Sequence, residues 1–333
     1  TRRQKKRIIK EERTKICPAK SKNRGGRREN MRLSDGIKES LYAAGLVPVI
    51  KPAAGVDGGL LADALYEGGI YAAEVTFRAA GAAETIAAIR KTRPGMIVGA
   101  GTVLTTAQAD EAIAAGAQFC VAPGFNEKVA AYCIGKGVPF VPGVSSATQI
   151  EAAMEADLDF VKFFPAEQSG GLPAIKALAA PYRGISFMPT GGINEDNLNT
   201  YLAFDKIVCC GGSWIVPDAL YKNGEFAKIT ALCKKATEKM LGYSLAHVGI
   251  NCDGGAAAEA GAKILAKAFG FDTRETPISV FSGEITEFMK NGGRGRNGHI
   301  AIGTTNVTRA MARLKNAGFT FDESTFKTDA HGR

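Results

Sequence analysis

Residues 96–117 read MIVGAGTVLTTAQADEAIAAGA. The first part, MIVGAGTV (96–103), is an apolar run with strand-forming Ile and Val. After a turn, TTAQADEAIAAGA (105–117) is amphipathic and closes on a glycine just before the next apolar run, as helix C-termini often do. The same unit recurs on both sides of it. Strand candidates are VPVIKP (47–52), AAEVTFR (72–78), MIVGAGTV (96–103), FCVAPGF (119–125), PFVPGVS (139–145), FVKFFPA (160–166), ISFMPTGGI (185–193) and IVCCGGSWI (207–215). Helix-like pieces such as LLADALYEGG (60–69) and AAETIAAIRK (82–91) alternate with them. Near-continuous apolar strands about 20–25 residues apart indicate parallel strands covered by helices. Eight such units predict an α/β fold, a (β/α)8 TIM barrel, rather than an open doubly wound sheet.

In a barrel of this kind, chemistry sits where the strands end. The residues that break the apolar pattern fall there: Lys51, Glu74 with Arg78, Thr102, Pro123, Ser145, Lys162, Thr190-Gly191-Gly192 and Gly211-Gly212-Ser213. Lys162 stands in the sixth candidate strand and shares a face with Phe160 and Phe164. Charged lysines are rarely buried alone. Such a lysine is either paired with a carboxylate for structure or kept there for chemistry. An apolar setting disfavours the ammonium, and a neutral amine attacks a ketone to form an iminium. Glu74 is the carboxylate in reach on the second strand; it suits a proton shuttle, and equally a plain salt bridge to Lys162 or Arg78. Arg78 offers a bidentate fork for a substrate carboxylate, and Thr102 adds a hydroxyl. The turns PTGGIN and GGSW end strands seven and eight, where backbone amides opening onto a helix favour a phosphate.

EVTFR, VGAGTVL, FVKFFPAE and MPTGGIN, in that order, resemble the 2-keto-3-deoxy-6-phosphogluconate (KDPG) aldolases, whose bifunctional members also accept 2-keto-4-hydroxyglutarate (KHG). The resemblance covers roughly residues 35–240. It implies a class I, Schiff-base aldolase of sugar-acid degradation (the Entner-Doudoroff pathway), commonly a homotrimer, needing neither metal nor organic cofactor. It implies Lys162 as the Schiff-base lysine and Glu74 as the acid/base. Arg78 and Thr102 would hold the carboxylate, and Thr190, Gly191, Gly192 and Ser213 would bind the distal phosphate. Phe164 would pack beside the imine, and Pro123 would shape the pocket. The partner is then a small keto acid. The alternatives are a non-catalytic, phosphate-ligand-binding regulatory barrel and a phosphate-sugar epimerase or synthase. Both leave the combination of Lys162, Glu74 and Arg78 unexplained.

Three domains are expected: a basic tail (1–30), the barrel (31–243) and a small α+β domain (244–333). Residues 1–30 carry 13 Lys+Arg against 3 Asp+Glu, whereas the rest carries 29 against 30. The basic character thus belongs to a segment whose composition suits disorder, and nucleic acid is not an expected partner. The C-terminal part repeats a strand–helix pattern, SLAHVGIN (244–251) before AAAEAGAKILAKAFGF (256–271) and GRNGHIAIGT (295–304) before VTRAMARLKNAGF (307–319). This repeat resembles the glyoxalase-like vicinal-oxygen-chelate module. The resemblance implies His247, Glu284 or Glu287, and His299 as metal ligands. The second copy stops soon after its helix, however, and a histidine at a strand start is more often structural, so no metal is expected. No apolar run long enough for a membrane span and no signal peptide are evident. Seven cysteines without a CxxC pair read as reduced, mostly buried thiols of a cytoplasmic protein.

Overall fold

The computed structural model describes residues 34–327, and these fall in one compact unit. The basic segment 1–30 and Cys17 lie outside the described residues. Helix α1 (Asp35–Ala44) leads into β1 (Leu46–Ile50), and five βα units follow it: β2 (Ala72–Thr76), β3 (Ile97–Gly101), β4 (Phe119–Val121), a fifth broken into β5 (Phe140–Val141) and β6 (Gly143–Val144), and β7 (Phe160–Phe163). Strands β8 (Ser186–Pro189) and β9 (Cys210–Gly212) complete the set. Hydrogen bonding runs in parallel in the order β5-β4-β3-β2-β1-β9 and again in β6-β7-β8. The two arcs join in two places. Pro142 sits between β5 and β6 and lacks an N–H, which breaks the ladder without ending the strand. At the other seam, parallel bridges Phe187↔Ile207 and Thr190↔Gly211 link β8 to β9. All eight predicted strand positions are therefore present around a closed parallel barrel.

The connecting helices start where short polar side chains cap them. Thr105 accepts from the Gln108 amide at the head of α4 (Thr106–Ala114), and Gln108 reaches back to the Leu104 amide. Ser146 and Gln149 repeat this at α6 (Ala147–Glu155), where Gln149 accepts from the Ser145 amide. These reciprocal caps fix both helix starts. They also give Ser145 a structural occupation at the strand end.

Apolar side chains fill two zones. One lies between strands and helices. The other, inside the barrel, gathers Val47, Ala72, Phe119, Val121, Val141, Phe160, Met188 and Cys209, with Leu41 of α1 closing the base. Burying each large member contributes about 1.5–3 kcal/mol. Asp159, just before β7, accepts hydrogen bonds from Lys38 Nζ at 2.7 Å and Ser34 Oγ at 3.0 Å, which pins α1 across the base. With the base plugged, the other end of the barrel is the place for a ligand.

Helix α10 (Phe226–Leu241) ends at Gly242, whose φ of +52° suits a glycine C-cap. Then follow β10 (Ser244–Asn251), α11 (Gly255–Phe269), β11 (Thr273–Glu275), β12 (Ser279–Ser282), β13 (Thr286–Met289), β14 (Gly298–Gly303) and α12 (Val307–Asn316). The sheet order is β11-β12-β13-β10-β14, mixed parallel and antiparallel, with Ala258 and Ala262 of α11 packed on Val280 and Phe288. This is the predicted small α+β arrangement, with one strand, β11, that the sequence reading missed. It is not a detached lobe. Helix α12 sets Arg309, only 3% exposed, against the base of the barrel.

Candidate active site

The site grows from the alternation of the strands. Register pairs Val49 with Glu74, Glu74 with Gly99, and Lys162 with both Gly143 and Met188. Glu74 and Lys162 point inward on strands that are not neighbours, and they meet across the lumen. Lys162 Nζ donates to Glu74 Oε1 at 2.9 Å and Oε2 at 3.3 Å. Glu74 is 0% and Lys162 5% exposed. Glycines on β3 make the meeting possible. A Cβ on Gly101 would lie 2.2 Å from Glu74 Oε1, and one on Gly99 would lie 2.3 Å from the Phe119 ring. The GAG of the opening stretch is thus the space into which the Glu74 carboxylate and the Phe119 ring fit, a reason invisible in the sequence.

Phe160 is buried in the barrel interior below Lys162, and the half-buried Phe164 ring centroid lies 5.5 Å from Nζ. The Phe164 ring thus lies beside the amine, while Phe160 belongs to the apolar cluster inside the barrel. Thr76 Oγ1 donates to Ile50 O at 2.9 Å and accepts from Arg78 Nε at 3.3 Å, which holds the exposed guanidinium two residues past the end of β2. Thr102 follows directly after β3 with φ +56°. A β-branched residue in the left-handed region costs on the order of 1–3 kcal/mol, which the surrounding structure must offset. Pro123 lies two residues past β4, beside Gly143, where a Cβ would lie 2.1 Å from the Pro123 backbone.

The glycine turns differ from expectation in one respect. Gly191 and Gly192 take φ of +98° and +82° after Thr190, which bridges to Gly211. The helices beyond the two turns are single short turns, Leu198–Leu202 and Asp218–Lys222, and they begin several residues later. No helix therefore starts directly at either turn, where Thr190 is buried and Ser213 exposed. Lys51 stands outside the site; it is exposed and 3.8 Å from Asp218.

Glu167 and Tyr201 are the members that the sequence reading passed over. The Tyr201 hydroxyl, on a side chain 2% exposed, donates to Glu167 Oε1. Burial, and then the Glu167 carboxylate, push the Tyr201 phenol well above its ordinary range. The Glu167 amide donates to Gly191 O at 3.1 Å, and a Cβ on Gly192 would lie 2.4 Å from Glu167 Cγ. Glu167 therefore braces the glycine turn. The only trace in the sequence is the polar end of FVKFFPAE.

The chain that carries this buried lysine–carboxylate pair is similar to known proteins over the barrel. The family profile described as KDPG and KHG aldolase covers residues 37–232. The 2-dehydro-3-deoxy-phosphogluconate aldolase of Treponema pallidum is 49% identical over 202 residues, 61% of this chain and 96% of that protein. The KHG/KDPG aldolase of Escherichia coli K12 is 40% identical over 201 residues, covering 60% and 94%. Among solved structures, the KDPG aldolase of Legionella pneumophila, which holds pyruvate as a covalent carbinolamine, superposes with a TM-score of 0.57 at 36% identity, covering 60% of this chain and 97% of its own. The Zymomonas mobilis ZM4 aldolase with 3-phosphoglycerate gives 0.58 at 40%, covering 62% and 96%. With the profile matched over more than half of its length and these relatives covered almost end to end, the chain belongs to the KDPG and KHG aldolase family.

Proposed function

We propose that the barrel cleaves KDPG to pyruvate and glyceraldehyde 3-phosphate, and KHG to pyruvate and glyoxylate, through a Schiff base on Lys162. The observation that carries this reading is the sealed Lys162–Glu74 pair, 2.9 Å apart. Proton transfer along that hydrogen bond turns an ammonium–carboxylate pair into an amine–acid pair with no change in net charge, which a low-dielectric interior tolerates. The freed amine attacks the C2 ketone, and the acid form of Glu74 protonates the departing hydroxyl. The imine then forms. As the carboxylate, Glu74 next takes the C4 hydroxyl proton, the C3–C4 bond breaks, and the iminium accepts the electron pair as an enamine. The aldehyde leaves. Reprotonation at C3 and hydrolysis release pyruvate and return Lys162.

Arg78, held by Thr76, and Thr102 on its strained backbone bind the keto-acid carboxylate in this reading. Phe164 walls the imine, and Pro123 shapes the adjacent pocket. Thr190, Gly191, Gly192 and Ser213 take the distal phosphate. The carbinolamine of the Legionella protein and the phosphorylated ligand of the Zymomonas protein support the two halves of the assignment. Free cysteines, five of them buried among the described residues, fit a reducing, cytoplasmic setting. No helix among the described residues is long and apolar enough to cross a membrane. A homotrimer is part of this reading, and exposed Ile134 on α5 (Glu127–Gly135) and Met154 on α6 are apolar side chains available to it. Pyruvate release, followed with each substrate in turn, tests the reading: turnover of either supports it, and turnover of neither rejects it.

Glu167→Ala, which removes the Cγ beside Gly192 and the acceptor of the Tyr201 hydroxyl, separates the two substrates. Loss of the brace under Gly191 and Gly192 raises KM for the phosphorylated KDPG on the order of tenfold, while kcat and KM for KHG stay within about twofold. Steady-state kinetics on both substrates check this. Equal losses on the two would mean that Glu167 supports the barrel generally.

A further inference from the structure

Strand β14 is an edge of the small sheet: β10 pairs with it on one side, and among the described residues no strand pairs with it on the other. Its sequence, GHIAIG, holds no Lys, Arg, Asp, Glu or Pro. An uncharged edge is a ready template for another strand, and folded proteins ordinarily blunt such edges with lysine, proline or a bulge. The opposite edge, β11, is blunted in this way by exposed Arg274 and Glu275. The one irregularity near β14, between Leu245 and His247, lies on the β10 side.

Backbone register shows which groups this edge leaves free. The Asn251 amide donates to Asn297 O at 3.0 Å. Facing residues in an antiparallel pair alternate between exchanging both hydrogen bonds and exchanging none. With Gly249 opposite His299 and His247 opposite Ala301, His299 and Ala301 are the residues of β14 bonded to β10. The N–H and C=O of Ile300 therefore point outward, where no loop among the described residues takes them. Ile300 also stands on an uncovered face. Val248 lies beside Ile300, Leu245 beside Ile302, and Ile250 beside Phe288. Phe288 packs under α11 with Ala258, Ala262 and Val280. Helix α11 thus covers the β12–β13 half of this face and leaves the β10–β14 half open, with Leu245 49%, Ile250 39%, Ile300 70% and Ile302 58% exposed.

The same edge on a second copy fits this one. A two-fold axis through Ile300 sets it against the partner's Ile300 with two reciprocal N–H···O bonds, and sets Ile302 against the partner's Gly298. The aliphatic side chains of both copies then form one continuous patch. The antiparallel sense also separates like charges, since Arg296 falls opposite the partner's Thr304, whereas an in-register parallel pairing would stack arginine on arginine. Edge and patch together offer on the order of 500 Å² per copy, the low end for a specific interface. We propose that two chains associate through β14 and join their five-stranded sheets into one continuous sheet. This contact is independent of the aldol site and adds to whatever assembly the barrels make.

The test compares the full wild-type chain with Ile300→Lys and Ile300→Pro. Ile300 is 70% exposed and its N–H faces outward, so neither change takes a hydrogen bond from β10 or packing from the core. Circular dichroism confirms that both variants are folded. In sedimentation equilibrium at about 100 μM chain, a concentration suited to so small an interface, the wild type has at least twice the mass of either variant. Amide exchange at Ile300 slows on the order of tenfold from dilute to concentrated wild type. Equal masses for the wild type and the folded variants overturn the proposal, as does a doubled mass that both variants retain. A doubled mass with Ile300 exchange unchanged by concentration places the contact elsewhere and overturns the β14 pairing.

Discussion

Lys162→Met removes aldol cleavage, with kcat falling on the order of 10⁴–10⁶-fold, as when a covalent nucleophile is deleted. Methionine has nearly the length of lysine and no charge, so it fits the slot between Phe160 and Phe164 without a cavity. What it leaves behind is Glu74, 0% exposed and stripped of its partner. Breaking a buried pair on one side costs about 3–5 kcal/mol if the remaining charge persists. Glu74 escapes most of that cost by taking up a proton, so the variant folds but unfolds at lower denaturant than the wild type. Adding Glu74→Gln to Lys162→Met recovers most of the lost stability without recovering activity. Urea titration alongside the kinetics checks both halves. Residual cleavage above about 1% of wild type in the single variant would contradict the covalent role.

Glu74→Gln separates imine formation from bond cleavage. Glutamine keeps the size that fits against Gly101 and still accepts a hydrogen bond from Lys162, but it cannot take a proton from the C4 hydroxyl. Loss of one general acid/base contributes about 10²–10⁴-fold in rate. The expected outcome is kcat reduced within that range on both substrates, while pyruvate still forms a reducible adduct more slowly. Exchange of the pyruvate methyl protons with solvent, which needs the same base at C3, falls in parallel. Stopped-flow cleavage and proton NMR measure the two steps separately. Cleavage within about threefold of wild type would transfer the acid/base role to another group or to water.

The barrel was legible because each parallel strand is buried on both faces and so reads as an unbroken apolar run. The fifth strand remained legible although Pro142 interrupts its ladder, since the apolar pattern continues through the break. β11 was not legible: Thr273, Arg274 and Glu275 are all exposed on a sheet edge and carry no apolar alternation. Lys162 and Glu74 stood out for the same reason the strands did, as charges set in apolar surroundings. Glu167 and Tyr201 did not, because their significance lies in contacts that no local pattern encodes; Thr102 stood out for its hydroxyl, but not for its left-handed backbone. The turn after strand seven was read as the mouth of a helix, but Asn194 and Asn197 bond within the loop and delay the helix to Leu198.

Helix α10 ends at the Gly242 cap, and β10 of the small sheet begins at Ser244. The docking of the small domain was not legible. In VTRAMARLK an arginine at helical spacing reads as solvent-facing, yet Arg309 is buried at the barrel base, where Gly45 has no Cβ to exclude it. His247, Glu287 and His299, grouped by the resemblance to the glyoxalase-like module, do converge, across three strands and over the missing side chain of Gly249.

The central claim is tested most directly by borohydride reduction in the presence of pyruvate, followed by peptide mapping. The account predicts a single pyruvate-dependent adduct on the peptide that contains Lys162, lost in Lys162→Met. No adduct in the folded wild-type chain, or an adduct on a different lysine, would contradict it.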